Sequence, residues 1–226
     1  MSRIPDAFGR RKALIPYLTM GYPRRETALE LVPRLEEWGA DMVELGIPFS
    51  DPLADGATIQ EASFQALEQD TTPARCLEVV ARLREKVSLP LVFMTYYNPV
   101  LSYDLERFCR EASGAGVDGL IIPDLPPEEG AELEAVGKRH GVDLVYLLSP
   151  NSSTERMQAV ARRSRGFIYL VSLTGVTGAR QVLPPGLESF VGRVKQSATL
   201  PLAVGFGIST PEQAVRVAAV ADGVIV

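Results

Sequence analysis

The sequence predicts an α/β protein with a single (β/α)8 TIM-barrel domain over residues 1–226. Eight short apolar runs alternate with amphipathic stretches. Each run is continuously apolar, which is typical of parallel strands covered by helices, and strand–helix alternation indicates parallel βαβ units. The first run continues into Met20-Gly21-Tyr22-Pro23 rather than into the Gly-x-Gly-x-x-Gly turn of a doubly wound sheet, so a closed barrel is favoured.

The elements follow one another without a linker or a composition break. The predicted strands are 14–19, 42–45, 91–95, 119–122, 144–148, 168–171, 202–205 and 223–226. Helical patterns cover 26–38, 105–115, 128–140, 154–163, 187–195 and 211–220, and a further helix opens at Thr72-Pro73. Thr210 and Gln213 predict a capping box at the start of the last helix. A complete barrel continues past strand eight with a loop and a helix, which we expect to be absent from residues 1–226.

The composition argues for one domain and against a nucleic-acid partner. The 226 residues carry a formal net charge of −5, and lysine and arginine are scattered along the chain. Phosphate backbones select basic surfaces, so nucleic acid is disfavoured. A phosphorylated ligand would have to be held by backbone N–H groups and helix N-termini. A single domain of this length can bury roughly 70–75% of its unfolded surface.

Cysteine, histidine and the N-terminal segment indicate a cytoplasmic protein without a metal site. Cys76 and Cys109 fall within predicted helices and form no Cys-x-x-Cys pair, so we expect reduced thiols. The only histidine, His140, ends a helix before Gly141, where a cation suits the helix dipole. Zinc sites and Ser–His triads therefore lack support. We expect neither a signal peptide nor a membrane span.

Glu44 and Asp55 are the candidate catalytic residues, because barrel active sites lie where strands end and βα loops begin. Glu44 lies between Val43 and Leu45 in an apolar strand. If its side chain points into the barrel, desolvation raises its pKa and suits it to acid and base work near neutral pH. Asp55 belongs to the following loop, which can fold back over the strand end. Two carboxyls in different settings can divide acid and base roles.

Each carboxyl also has a structural interpretation. Glu44 could be tied to a lysine or arginine at the barrel rim, although no cation adjoins it in sequence. Asp51 and Asp55 precede Pro52 and Gly56, and Asp-Pro and Asp-Gly pairs favour turns. We take Asp51 as a turn residue and Asp55 as catalytic.

Two glycine-rich turns predict a phosphate site late in the barrel. Strand six leads into Thr174-Gly175-Val176-Thr177-Gly178, and strand seven into Gly205-Phe206-Gly207. Glycines let backbone N–H groups approach a phosphate, and the helix beginning near Pro211 adds a favourable dipole. Late βα loops are the usual phosphate site of such barrels. Plain tight turns are the alternative interpretation.

The motifs together resemble the tryptophan synthase alpha subunit family. The segment E-L-G-I-P-F-S-D-P-L-A-D-G, from Glu44 to Gly56, resembles the family signature and is highly specific. The resemblance continues in order along nearly the whole chain, in P-Y-L-T at 16–19, Y-Y-N-P at 96–99, P-D-L-P at 123–126, G-V-T-G at 175–178 and G-F-G-I at 205–208.

This resemblance implies a carbon–carbon lyase of L-tryptophan biosynthesis that cleaves indole-3-glycerol phosphate to indole and glyceraldehyde 3-phosphate by a retro-aldol reaction. Matching motif positions imply that Glu44 protonates indole C3 and takes the glycerol hydroxyl proton, and that Asp55 stabilises the indole N–H. The residues expected at the substrate are Tyr17, Tyr169, Thr177, Gly178, Gly205, Phe206 and Gly207. The three glycines of this set would contact the phosphate. Ordinary barrel packing is the alternative for the aromatic residues.

The resemblance also implies a partner. Family members pair, as an alpha2beta2 complex, with a beta subunit that contains pyridoxal phosphate and receives indole through a tunnel, and the alpha chain itself needs no cofactor. The loops at 52–56 and after Thr174 would communicate with that subunit. A Gly-Ser phosphate contact would follow just past Val226.

Two other functions stay open. One is another phosphate-binding barrel enzyme of tryptophan or histidine biosynthesis. Such enzymes require a lysine or a different acid pair at strand ends, and no strand of this sequence ends in lysine. The other is a catalytically idle barrel that only regulates or binds the beta subunit, which the presence of both Glu44 and Asp55 disfavours.

Overall fold

The computed structural model describes residues 2–9, 11–171, 186–205 and 207–226 of the chain. Its β-segments are β1 (Ala13–Ile15), β2 (Tyr17–Thr19), β3 (Val43–Gly46), β4 (Leu91–Met94), β5 (Gly119–Ile121), β6 (Asp143–Val145), β7 (Leu147–Leu148), β8 (Ile168–Val171), β9 (Leu202–Gly205) and β10 (Gly223–Ile225). All their pairings are parallel, in the orders β1-β10-β9-β8-β7 and β2-β3-β4-β5-β6.

The first predicted strand is one strand interrupted at Pro16, which separates β1 from β2. Proline has no N–H to donate to the ladder, but the Pro16 carbonyl accepts the N–H of Glu44 at 2.9 Å. The next residue, Tyr17, donates its N–H to the Val226 carbonyl at 2.8 Å. This strand therefore pairs on both sides and joins the two sheets.

The fifth predicted strand is interrupted in the same way at Tyr146, between β6 and β7. The Tyr146 N–H is diverted to Ser164 Oγ at 3.1 Å, while the Tyr146 carbonyl accepts the N–H of Tyr169 at 3.1 Å. With both joins made, the segments form one closed ring of eight strands. The predicted eight-stranded barrel is confirmed.

Helices surround this ring. They are α1 (Thr27–Glu37), α2 (Ala57–Glu68), α3 (Pro73–Arg84), α4 (Tyr97–Tyr103), α5 (Leu105–Ala115), α6 (Ala131–His140), α7 (Thr154–Arg163), α8 (Leu187–Lys195) and α9 (Pro211–Val220), with a short 3-10 helix at Ile4–Phe8. α5, α7, α8 and α9 have the predicted bounds, and α9 begins with the predicted capping box. No helix of the described ranges is long and apolar enough to cross a membrane.

Three helix predictions need correction. α2 was not predicted, because its buried residues are the small Ala62, Ser63 and Ala66 rather than a stripe of large apolar side chains. α4 was not predicted either, because a helix of only seven residues is too short to show a clear helical period. The helix expected from residue 128 begins at Ala131, since Pro126 and Pro127 start turns that occupy the preceding residues.

Side chains alternate along each strand between the barrel interior and the helical layer. The interior cluster includes Ile15, Met42, Val92, Ile121 and Val145, and it fills the barrel below the ends of the strands. Glu44, on β3, lies two residues after Met42, which directly precedes that strand, so it shares the inward face. The fold thereby delivers one carboxyl to the carboxyl-terminal end of the interior.

Candidate active site

Glu44 is enclosed inside the barrel. Its side chain is fully buried, and its Cα pairs with that of Tyr17 on β2 and that of Val92 on β4. Neither carboxyl oxygen has a hydrogen-bond partner among the described residues, and no ion pair there involves it. Burial raises the pKa of Glu44 to about 8, and the nearby charge of Asp55 adds to the shift.

Asp55 comes to the same place from the loop between β3 and α2. The Asp55 residue is only 5% exposed. Its backbone N–H donates to the Pro52 carbonyl at 3.2 Å, and its carbonyl accepts the Gln60 side-chain amide at 2.9 Å. Burial raises the pKa of Asp55 to about 6, while a side-chain hydrogen bond with Tyr96 opposes the shift. The loop folds back over the strand end as the sequence predicts.

The two carboxyls have different ionisation states near neutral pH. Asp55, with a pKa of about 6, loses its proton first, beside a Glu44 that is still neutral. Glu44 must then ionise next to an existing negative charge, so its pKa is the higher of the two, at about 8. At pH 7 the prevailing form therefore has a protonated Glu44 and an ionised Asp55. A proton donor and an anion then lie in one water-poor site.

Tyr17 and Tyr169 accompany the carboxyls at the barrel mouth. Burial raises the pKa of both phenols, and the charges of Glu44 and Asp55 raise it further. Both hydroxyls therefore stay neutral over the range in which the carboxyls titrate. The Tyr17 hydroxyl lies 3.3 Å from Thr19 Oγ1.

Each of these phenols lies against a glycine at the end of the neighbouring strand. A Cβ added at Gly46 would lie 2.2 Å from the Tyr17 hydroxyl, and one added at Gly205 would lie 2.2 Å from the Tyr169 hydroxyl. Such contacts are far shorter than van der Waals packing allows. Gly46 and Gly205 are therefore needed to seat the two phenols.

The predicted phosphate residues are only partly within the described chain. Gly205 ends β9, and Gly207 follows with a φ of +80°, a conformation that favours glycine. Thr177, Gly178 and Phe206, with the whole turn 174–178, lie outside the described residues. Phosphate binding by these residues remains a prediction.

Tyr96 is a residue of the site that was not predicted from the sequence. It directly follows Thr95, at the end of the strand that contains β4, and it is 4% exposed. Its hydroxyl accepts the N–H of Ala54 at 2.8 Å, across 42 residues of sequence. The Y-Y-N-P segment was the only signal for it. No group of three or more His, Cys, Asp and Glu residues in the described ranges could hold a metal ion.

The fold and the site define a class of protein: a (β/α)8 barrel with two buried carboxyls of different pKa at its mouth, suited to proton-transfer catalysis. The family model described as "Tryptophan synthase alpha chain" matches residues 7–226. This chain belongs to the tryptophan synthase alpha chain family. It is therefore a lyase of tryptophan biosynthesis, and the resemblance found in the sequence is confirmed.

Individual relatives agree with this assignment. The chain is 59% identical over 226 residues to the tryptophan synthase alpha chain of Dehalococcoides mccartyi, which covers 100% of this chain and 89% of that protein. The crystal structure of tryptophan synthase subunit alpha from Legionella pneumophila superposes with a TM-score of 0.92 at 40% identity, covering 100% of this chain and 86% of that one. A structure of the tryptophan synthase α2β2 complex from Pyrococcus furiosus matches with a TM-score of 0.90 at 40% identity, covering 96% and 87%.

Proposed function

We propose that this chain cleaves indole-3-glycerol phosphate into indole and glyceraldehyde 3-phosphate, with Glu44 and Asp55 as its catalytic residues. The observation that carries the proposal is the burial of two carboxyls at one barrel mouth, with Glu44 fully buried and Asp55 only 5% exposed, which raises their pKa values to about 8 and about 6. The reaction needs one group that can give a proton and one that can hold negative charge beside the indole nitrogen. Near pH 7 this pair supplies both.

Glu44 both donates and removes a proton during the reaction. Its carboxyl gives a proton to indole C3, and the ring takes up positive charge that is shared with the indole N–H. The ionised Asp55 accepts a hydrogen bond from that N–H and stabilises the charge. The Glu44 carboxylate then removes the proton from the glycerol hydroxyl next to the ring, the C–C bond breaks, and its electron pair restores the aromatic indole. Glu44 ends protonated, so no net proton is consumed.

The phenols and glycines of the site have supporting roles in this proposal. Tyr17 and Tyr169 wall the indole pocket and keep water from Glu44, and both stay uncharged because their pKa values are raised. Gly205 and Gly207, with Gly178, offer backbone N–H groups to the phosphate. Thr177 and Phe206 complete the pocket wall.

We propose further that the chain works in the cytoplasm with a tryptophan synthase beta chain, to which the pyridoxal phosphate belongs. The Pyrococcus furiosus relative is described as an α2β2 complex. In this chain the loop that holds Asp55 also carries Leu53, which is 88% exposed. An apolar side chain at that position can contact a partner while its loop contacts the substrate. Leu53→Ser should weaken co-elution with the beta chain without lowering the melting temperature, and unchanged co-elution would exclude this contact.

An indole-release assay tests the proposed reaction. The full-length protein is given indole-3-glycerol phosphate, with and without the beta chain. Glu44→Gln should lower kcat by roughly 10²–10⁴-fold, the usual contribution of one proton-transferring group. Asp55→Asn should lower kcat by roughly 10²–10³-fold, the usual effect of losing one group that stabilises charge in the transition state. The matched control is Glu37→Gln, an exposed carboxyl at the end of α1, which should keep the normal rate.

The same assay separates the remaining alternatives. A protein that releases no indole under any condition would be the idle barrel. A Glu44→Gln variant as active as the control would refute the assignment of the acid. An unchanged Asp55→Asn variant would leave Asp55 as a residue of the loop only.

A further inference from the structure

Tyr96 makes three contacts with the loop at residues 47–56, which joins β3 to α2. The Tyr96 hydroxyl accepts the N–H of Ala54 at 2.8 Å. It also lies close enough to the Asp55 side chain for hydrogen bonding between the two to lower the pKa of that carboxyl. Its ring lies 5.3 Å, between centroids, from the ring of Phe49, at an interplanar angle of 31°. One buried side chain just after the third strand of the barrel therefore contacts the loop at Phe49, Ala54 and Asp55.

We propose that Tyr96 is a positioning residue of the reaction, whose hydroxyl holds the carboxyl of Asp55 in place and keeps it ionised. The inference rests on the proposed function, since it matters only if Asp55 acts as an anion. Tyr96 is not assigned a contact with the substrate.

The chemistry of a phenol fits both hydrogen bonds at once. A hydroxyl has one proton to donate and lone pairs with which to accept. The Ala54 N–H occupies an acceptor position, so the proton of Tyr96 is free to point at the Asp55 carboxylate, which can only accept. Accepting a bond from Ala54 also polarises the hydroxyl and strengthens its donation.

This hydrogen bond and burial shift the pKa of Asp55 in opposite directions. Burial raises the pKa of Asp55, and hydrogen bonding from Tyr96 lowers it, so that the net shift is to about 6. The other titratable groups that face Asp55 are Glu44, Tyr17 and Tyr169, and the charge of Asp55 raises the pKa of each of them. Among the described residues, Tyr96 is the one whose side chain favours the ionised form of Asp55.

The backbone of the loop has its own supports. The Asp55 N–H donates to the Pro52 carbonyl, and the Gln60 side chain donates to the Asp55 carbonyl. Removal of the Tyr96 hydroxyl would therefore release the Ala54 N–H and the Asp55 carboxyl but leave these two backbone supports in place. A purely structural role of Tyr96 would rest on its ring contact with Phe49 and on its bond from the Ala54 N–H. Tyr96→Phe preserves only the ring contact, so a second variant that keeps both contacts is needed.

The test compares Tyr96→Phe with Tyr103→Phe in the indole-release assay, using the full-length protein with the beta chain. Tyr103 is a matched control, because its hydroxyl donates to Glu111 at 2.5 Å on the helical surface. Loss of a hydrogen bond to a charged group should lower kcat by roughly tenfold to a hundredfold in Tyr96→Phe. The pKa of Asp55 should rise, so the acid limb of the pH–rate profile should move to higher pH. Tyr103→Phe should keep the normal kcat and profile.

A second variant distinguishes the proposed effect from a folding defect. Tyr96→3-fluorotyrosine keeps the ring and the hydroxyl but makes the hydroxyl more acidic, hence a stronger donor. Its acid limb should move to lower pH, opposite to that of Tyr96→Phe. The inference is overturned if Tyr96→Phe retains the normal kcat and profile, or if the fluorinated variant leaves the acid limb in place.

Failure of this inference and failure of the proposed function give different results. If the unaltered protein and Glu44→Gln release indole at the same rate, the proposed function fails. If the unaltered protein is active, Glu44→Gln is inactive and Tyr96→Phe is normal, only the role of Tyr96 is wrong.

Discussion

Replacement of Glu44 with glutamine should lower the rate of indole release by roughly 10²–10⁴-fold and at the same time stabilise the fold. The pKa of Glu44 rises from 4.5 to about 8 on folding. A carboxyl whose pKa is higher in the folded protein than in the unfolded chain makes folding less favourable at any pH at which the unfolded chain ionises it. The free energy of unfolding therefore has its full value below pH 4.5 and falls as the pH rises toward 8. Glutamine does not ionise, so Glu44→Gln should escape this loss.

The size of the effect follows from the pKa difference. At pH 7 Glu44 is ionised in the unfolded chain but largely protonated in the folded one. At roughly 1.4 kcal/mol per pKa unit, this difference lowers the free energy of unfolding by about 3 kcal/mol. At pH 4.5 the same relation lowers it by under about 0.5 kcal/mol. Protonated glutamic acid and glutamine are both neutral and of similar size. Their packing inside the barrel should largely cancel in the comparison.

Urea unfolding at several pH values between 4.5 and 8 measures this difference. Glu37→Gln is the control, because it makes the same chemical change at an exposed position at the end of α1. The stability gain of Glu44→Gln over the unaltered protein should grow steadily with pH. A gain that does not change with pH, or a loss of stability at pH 7, would refute the reasoning that burial keeps Glu44 protonated.

Three further predictions follow from the same structure. The profile of kcat/KM against pH should be bell-shaped, with limbs near the pKa values of the two carboxyls, about 6 and about 8; a flat profile from pH 5 to 9 would contradict it. Gly46→Ala should lower stability by about 1–3 kcal/mol by overpacking, because the added Cβ meets the Tyr17 hydroxyl at 2.2 Å, and Tyr17→Phe should partly restore it; thermal melts of the single and double variants decide this. Asp118→Asn should lower the free energy of unfolding by about 3–5 kcal/mol and leave KM unchanged, because buried Asp118 is paired with Arg3 at 2.9 Å and with Arg84 at 3.2 Å. A normal melting temperature of this variant would contradict the prediction.

The strands and most helices could be predicted because their signals are local. A continuous apolar run identifies a buried parallel strand, and the Thr210–Gln213 box marks the start of α9. The two breaks in the strand ladder were harder to foresee. One arises from Pro16 and is visible in sequence, but the other depends on the distant Ser164, which takes the N–H of Tyr146.

The site could be predicted only where the strand pattern determines it. The placement of Glu44 follows from the inward face of β3, and the loop after it explains how Asp55 comes near. The roles of Tyr96 and Gly46 depend on how neighbouring strands and the loop are aligned, which a single sequence does not specify. The difference between the two pKa values likewise depends on the depth of burial and on the bond from Tyr96.

The central claim is that Glu44 holds its proton at neutral pH, and a direct titration of its carboxyl tests this. Protein labelled with carbon-13 at the glutamate side-chain carboxyl is followed by NMR across pH 3–10, and the signal missing from Glu44→Gln identifies Glu44. The expected midpoint is near pH 8. A midpoint near 4.5, the ordinary value for glutamate, would contradict the account.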